Sequence, residues 1–236
     1  RGYESIAIAG SHGKTTTTSM IAKIFSSANL SPTYVVGGKV LSTDENSNLG
    51  QGNYLIAEAD ESDGSFTHLN PDVAVLTNID DDHLVHYENN FENLLNAFIQ
   101  FSENIPFYGY IIINADDKNI RKIAKRISRK QVTFGKTKTA DFYISNVMYR
   151  SGYQNFDIND NQRNKKYSFS IQQPGMHNVF NAAASIAVAI EEGLPIKSIK
   201  KGIKEFTGVG RRYEKHEINL NFHKKILIDD YGHHPI

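Results

Sequence analysis

Short apolar runs alternate along this chain with longer stretches in which apolar residues return every three or four positions. Ile6-Ala7-Ile8-Ala9, Tyr54-Leu55-Ile56-Ala57-Glu58-Ala59, Val73-Ala74-Val75-Leu76-Thr77-Asn78 and Tyr110-Ile111-Ile112-Ile113-Asn114 are nearly all apolar. That is the pattern of strands buried on both faces of a parallel sheet, and Gln131 to Phe134 reads as a further strand. Between them, helical spacing predicts a helix opening near Lys14 and running through Ser19-Met20-Ile21-Ala22-Lys23-Ile24-Phe25. A second spans about Asn90 to Ser102, with Phe91, Leu94, Leu95, Phe98 and Ile99 on one face. A basic helix is expected near Lys118 to Ser128, another from Asn178 to Glu192 stopped by Gly193, and a last one from Pro195 to about Phe206. From Asp141 to Gln172 the period shortens to two, with Phe142, Ile144, Val147, Phe156, Ile158, Tyr167, Phe169 and Ile171 separated by polar residues and turn signals. This predicts a small antiparallel sheet. The fold class is therefore α/β, a mostly parallel sheet flanked by helices with a small antiparallel β subdomain, and ligands are expected outside the carboxyl ends of its strands.

Composition narrows the function classes. The chain has 236 residues, of which 39% are hydrophobic, enough for a sizeable core. Lys plus Arg and Asp plus Glu balance at 26 each, so no global field draws it to nucleic acid or to an anionic membrane. There is no cysteine, which excludes disulfides and thiolate metal sites, and no apolar run is long enough to span a bilayer. A soluble, cytoplasmic protein is expected. The chain opens at Arg1 without an initiator methionine and stops at Ile236 just after a strand-like run, so both ends look cut.

The most specific string is Gly10-Ser11-His12-Gly13-Lys14-Thr15-Thr16, placed between an apolar strand and a helix. Two glycines let the backbone bend until several N–H groups face one anion, and the helix adds the positive end of its dipole. Lys14 can then reach β and γ phosphates, while Thr15 or Thr16 offers a hydroxyl to Mg²⁺. The loop is a short variant, G-x-x-G-K-T, of the longer phosphate-binding pattern, whose first glycine is here Ile8. A glycine turn capping an ordinary helix is the bland alternative; the strand before and helix after favour a nucleotide.

Other strand ends carry chemistry too. Glu58-Ala59-Asp60-Glu61-Ser62-Asp63 puts four carboxylates within six residues. A carboxylate at a strand tip beside a phosphate loop is where an ATPase holds Mg²⁺; Glu58 is the choice here, leaving Asp60, Glu61 and Asp63 for substrate, an outer shell or solvent. Asn78-Ile79-Asp80-Asp81-Asp82-His83 repeats the arrangement one strand later, and His83 reads either as a ligand for a second cation or as a surface histidine after a helix cap. Asn178 and Asn181 open a small-residue helix, where Asn side chains pair with a purine edge or simply cap the helix. Gly208-Val209-Gly210-Arg211-Arg212 sets paired guanidiniums on a turn, suited to phosphate or lying idle at a hinge. Ile226-Leu227-Ile228-Asp229-Asp230 is again strand and polar tip, and belongs to a new sheet.

Taken in order, G-S-H-G-K-T-T-T-T, E-A-D-E-S-D-G-S-F, N-I-D-D-D-H, G-M-H-N-V-F-N-A-A-A, G-V-G-R-R and D-D-Y-G-H-H-P resemble the Mur ligases, the ATP-dependent amide-forming enzymes of peptidoglycan precursor synthesis. The resemblance runs along essentially the whole chain and favours the member that adds L-alanine over the one that adds a tripeptide. It implies a three-domain protein: residues 1–213 as the central ATP-binding domain with a small β insertion at about 141–172, residues 214–236 as the start of the C-terminal domain, and the N-terminal UDP-sugar domain absent. It further implies that ATP phosphorylates the carboxylate of UDP-N-acetylmuramate and that L-alanine attacks the acyl phosphate, with neither nucleic acid nor membrane as partner. By the same resemblance Gly10, Ser11, His12, Gly13, Lys14, Thr15 and Thr16 hold the nucleotide phosphates. Mg²⁺ sits on Thr15 and Glu58, and His83 holds a second Mg²⁺. Asn178 and Asn181 match base-contacting positions, Arg212 a phosphate contact and Asp230 a nucleotide contact. Ser11 departs from the family's usual threonine but keeps the hydroxyl. The fragment by itself is expected to make no product. A phosphate loop, an acidic strand end and an Arg pair serve a small-molecule kinase equally well.

Overall fold

β1 (Glu4–Ala9) alternates strictly in what it buries: Ile6 and Ile8 pack into one hydrophobic cluster, Ala7 and Ala9 into another, so it is covered on both faces. The computed structural model describes residues 2–40, 45–82, 84–209, 214–220 and 223–229. Next along the chain come α1 (Lys14–Ser27), β2 (Thr33–Val40), β3 (Glu45–Asn48), β4 (Tyr54–Glu58), β5 (Val73–Leu76), α2 (Phe91–Glu103) and β6 (Tyr110–Asn114). They are followed by α3 (Lys118–Ala124), β7 (Lys130–Gly135), β8 (Phe142–Arg150), β9 (Tyr153–Asp160), β10 (Lys165–Ile171), α4 (Met176–Glu191), α5 (Ile196–Lys204), β11 (Glu214–Leu220) and β12 (His223–Asp229). Ten strands form one sheet in the order β10-β9-β8-β7-β6-β5-β1-β4-β2-β3.

From β2 to β8 every pairing is parallel, and β3, β9 and β10 add antiparallel edges. The expected antiparallel strands at 141–172 are β8, β9 and β10, and they are continuous with the parallel sheet: β7 pairs with β8 at Phe134 with Phe142 and Gly135 with Tyr143. One face of the sheet is covered by α1, α4 and α5, whose Ile24, Phe25, Ile186 and Ile203 meet Ile6, Ile56, Val75 and Ile112. The other is covered by α2 and α3, with Leu94, Phe98 and Ile120 against Ala74, Leu76 and Ile111. The result is three layers, helix on sheet on helix.

Differences from the sequence pattern have local causes. The helix expected to reach Ser128 ends at Ala124, where the Gln131 side chain donates to the carbonyls of Ala124 and Ile127 and draws the chain into a turn. The helix expected from Asn178 begins at Met176 with Gly175 as its cap, so Asn178 lies inside the first turn. β2 is a strand that periodicity did not reveal, because Gly37 and Gly38 interrupt its apolar residues. β12 was expected as a strand of a new sheet, and it pairs antiparallel with β11 in a separate two-stranded sheet. Among the described residues no helix is long and apolar enough to cross a membrane.

Candidate active site

β1 is flanked by β4 on one side and β5 on the other, so the chain leaving Ala9 emerges between two strand tips. Parallel order makes all three tips share one rim, the usual ligand position in an open α/β sheet. The loop from Gly10 to Gly13 fills that point. Gly10 has φ +132°, and a Cβ there would stand 2.2 Å from Thr77 Oγ1 and 2.8 Å from the Asn78 carbonyl, so only glycine fits. Gly13, with φ +81°, caps α1 without a side chain that could bond the helix's first N–H groups, and no acid sits in its first turn. The positive end of the helix is therefore left for an outside anion.

α1 opens Lys-Thr-Thr-Thr-Thr-Ser, a run of modest helix propensity. Two of its buried hydroxyls bond within the helix, Thr18 donating to the Lys14 carbonyl at 2.9 Å and Ser19 to that of Thr15 at 2.8 Å, while Thr17 Oγ1 is buried without a hydrogen-bond partner. The helix persists because Met20, Ile21, Ile24 and Phe25 are fully buried beneath it.

The end of β5 laces the loop in place. Thr77 donates its hydroxyl to the His12 carbonyl at 2.7 Å, and Asn78 makes two bonds to His12, accepting from its N–H at 2.8 Å and donating to its carbonyl at 3.0 Å. Ser11 accepts from the Asp80 N–H at 2.8 Å, and His12 Nε2 stands 3.3 Å from an Asp82 oxygen. The sequence motifs do not mark Thr77 or Asn78 as site residues; their signal is their place at the tip of a strand neighbouring the loop strand, with side chains short enough to imitate backbone.

Two ion-handling pairs sit at the other tip. Thr15 Oγ1 lies 3.1 and 3.0 Å from the two oxygens of Glu58, and the Gly37 N–H donates to Glu58 Oε2 at 2.8 Å. Lys14 Nζ donates to the Gly10 carbonyl at 2.9 Å and to Glu61 Oε2 at 2.7 Å. The Tyr87 hydroxyl donates to the Glu61 carbonyl. Burial, and after it the charges of Glu61, Asp63 and Asp60, push the Tyr87 phenol up to about 12. In the sequence Glu61 is one of several loop acids; its burial, which no sequence pattern discloses, makes it the partner of Lys14.

α4 reaches the same rim. A Cβ on Gly13 would stand 2.4 Å from Asn181 Oδ1, so Asn181 rests directly on the loop, while Asn178 donates its amide to the Pro174 carbonyl at 2.8 Å. Ser185 bridges to α1, donating to the carbonyls of Asn181 and Thr17. The structure thus brings together Gly10, Ser11, His12, Gly13, Lys14, Thr15, Glu58 and Asn181. His83, Arg212 and Asp230 lie outside the described residues. Among the described residues no group of three or more His, Asp and Glu side chains is disposed to hold a metal. The Thr15 hydroxyl and Glu58 carboxylate nevertheless form a hard-oxygen pair, which suits an ion such as Mg²⁺ that binds through one or two protein oxygens and keeps several waters.

Comparison with known proteins follows the same lines. Residues 8–189 match the Mur ligase middle domain. The chain is 45% identical over 239 residues to the UDP-N-acetylmuramate-L-alanine ligase of Chromobacterium violaceum, covering 100% of this chain and 52% of that protein. It is 46% identical over 231 residues to the ligase of the same name from Hydrogenovibrio crunogenus, covering 98% and 50%. The crystal structure of UDP-N-acetylmuramate-alanine ligase from Thermotoga maritima superposes with a TM-score of 0.85 at 29% identity, over 99% of this chain and 51% of that one. This chain therefore spans about half the length of the curated relatives it matches.

Proposed function

The chain belongs to the Mur ligase family, and we propose on that footing that the protein containing it joins L-alanine to the carboxylate of UDP-N-acetylmuramate at the expense of ATP. The observation that carries this reading is the pairing of Thr15 with Glu58 beside Lys14, at the first turn of a helix whose glycine cap leaves its positive end open to an anion. Identity of 44–46% across the chain to ligases of that name supports the choice of substrates.

In this mechanism the loop from Gly10 to Thr16 and the N-terminus of α1 bind the β and γ phosphates, and Lys14 offsets charge that develops on them during transfer. Thr15 and Glu58 would hold Mg²⁺, which supplies further neutralisation of the phosphate oxygens. Asn178 and Asn181 take the base, and His83 as ligand of a second Mg²⁺, Arg212 as a phosphate contact and Asp230 as a nucleotide contact would complete the site. The γ-phosphoryl passes to a carboxylate oxygen of the sugar substrate, releasing ADP. The amine of L-alanine then attacks the acyl carbon, loses a proton and expels phosphate, leaving the amide. Residues 1–213 act as the ATP-binding unit, and residues 214–236 begin the next one, in keeping with their separate two-stranded sheet. The protein works in the cytoplasm.

The test is phosphate release by the intact protein. Release that requires both UDP-N-acetylmuramate and L-alanine is the expected result. A stable phosphorylated product formed without any amine would make it a kinase, and preference for a tripeptide over L-alanine at equal concentration would make it a peptide-adding relative.

A further inference from the structure

Glu61 takes no part in the contacts proposed above, yet its residue is only 1% exposed and its carboxylate lies 2.7 Å from Lys14 Nζ. A carboxylate withdrawn from water needs opposite charge and hydrogen bonds to remain ionised. Its Oε1 is buried without a hydrogen-bond partner, so the ammonium of Lys14 on Oε2 carries that compensation.

From the lysine's side the arrangement divides three donors. One goes to the Gly10 carbonyl, four residues back in the same loop, and one to Glu61, 47 residues away; the third remains for a ligand. The Gly10 bond moves with the loop, whereas Glu61 belongs to a segment fastened independently. The Gly64 N–H closes a turn onto the Glu61 carbonyl at 3.1 Å, and the same carbonyl accepts from Tyr87. Gly64 itself has φ +73° and lies so close under His86 that a Cβ would stand 2.6 Å from its Nε2. An unbranched, many-rotamer side chain is thus held at its charged end by a rigid anchor before any ligand arrives.

We propose that Glu61 is a positioning residue for nucleotide binding: it fixes the Lys14 ammonium at the phosphate loop with one donor left for a β or γ oxygen. The proposal deepens the functional reading above and rests on its assignment of Lys14 to phosphate. The opposite possibility, that Glu61 competes with phosphate for the lysine, predicts tighter nucleotide binding when its charge is removed.

The test is the dissociation constant of a non-hydrolysable ATP analogue with Mg²⁺, measured on the intact protein, for Glu61→Gln in the native and the Lys14→Met backgrounds. Glu61→Gln is expected to weaken binding about tenfold when Lys14 is present and by less than about twofold when it is absent. Equal weakening in both backgrounds, no weakening, or tighter binding would overturn the proposal. Tyr87→Phe, which loosens the Glu61 turn without touching a charge, provides a second arm should Glu61→Gln fold poorly: it is expected to weaken binding severalfold only when Lys14 is present, and an effect independent of Lys14 overturns the proposal. Wild-type protein that fails to bind the analogue would bring down the functional reading itself, whereas normal wild-type binding with an indifferent Glu61→Gln would bring down only this inference.

Discussion

Thr15 places its hydroxyl 3.1 and 3.0 Å from the two oxygens of Glu58, joining the first turn of α1 to the tip of β4 across 43 residues of sequence. The parallel pairing of β1 with β4, with Ile8 opposite Glu58, is what brings them together. The Gly37 N–H holds the same carboxylate from β2. Glu58→Ala therefore removes half of a prepared oxygen pair while leaving the loop intact. In the intact protein, calorimetric titration of Mg²⁺ in the presence of ATP is expected to show affinity falling by at least roughly tenfold, the lower end of what even groups one shell further from a metal contribute. A titration that matches wild type would place the metal on another acid.

The Lys14–Glu61 pair makes a prediction about stability that the sequence points away from. A loop lysine that serves only phosphate is dispensable to the fold, and Lys14→Ala would then leave the melting temperature unchanged. With Glu61 only 1% exposed, Lys14→Ala instead strands a buried carboxylate, a loss of about 3–5 kcal/mol. Replacing both charges together, as Lys14→Met with Glu61→Gln, is expected to recover most of that loss while nucleotide turnover stays abolished. Thermal denaturation of the two variants side by side decides it: equal melting temperatures for wild type and Lys14→Ala would mean that water reaches Glu61 after all.

Why the Gly10–Thr16 loop was legible and its supports were not follows from where each is encoded. Gly10, Gly13, Lys14 and Thr15 act through backbone freedom, a helix end and side-chain chemistry within a few consecutive residues, so the string carries its own meaning. Glu58 was legible because it ends an apolar strand. Glu61, Thr77 and Asn78 matter only because β4, β1 and β5 lie side by side, and that order is a property of the sheet. The strands β4, β5 and β6 were readable from continuous apolar runs, whereas β2 was hidden by two adjacent glycines, one of which supplies the N–H that holds Glu58. β11 was unreadable for a related reason: its residues, Glu-Lys-His-Glu-Ile-Asn-Leu, are mostly polar and present no apolar run.

Alkaline pH gives a separate handle on the packing. Tyr54 and Tyr110 both donate to the carboxylate of Glu192, at 3.0 and 2.6 Å. Burial first, and then the Glu192 charge, pushes both phenols well above the usual tyrosine range, and Tyr87 rises to about 12. A group whose folded pKa exceeds its unfolded value of about 10 binds its proton more tightly when folded. Its contribution is fully present below pH ~10 and is lost as pH rises toward the folded value. Stability against urea is therefore expected to hold up to pH ~10 and to fall between there and about 12, with Tyr87→Phe flattening part of the slope. An unchanged slope in that variant would show that Tyr87 titrates normally in the folded chain.

Gly202 tests the support of the loop helix from behind. α5 crosses α1 so closely there that a Cβ on Gly202 would stand 2.6 Å from Ile24 Cα and 3.0 Å from Ile24 N, both backbone atoms that cannot swing aside. Two effects oppose each other in Gly202→Ala. Helix propensity favours alanine by about 0.8–1 kcal/mol. Forcing the helices apart costs about 1–3 kcal/mol, because Ile199 and Ile203 on either side of the glycine are fully buried against the same core and must move with it. The packing term is the larger, since the clash is with main chain rather than with the end of a side chain. A net loss of about 1 kcal/mol is expected, read as a fall of roughly 2–4 °C in melting temperature for a unit of this size. A rise in melting temperature would show that α5 can slide along α1 without loss, and that the close crossing at Gly202 is not what holds the two helices in register.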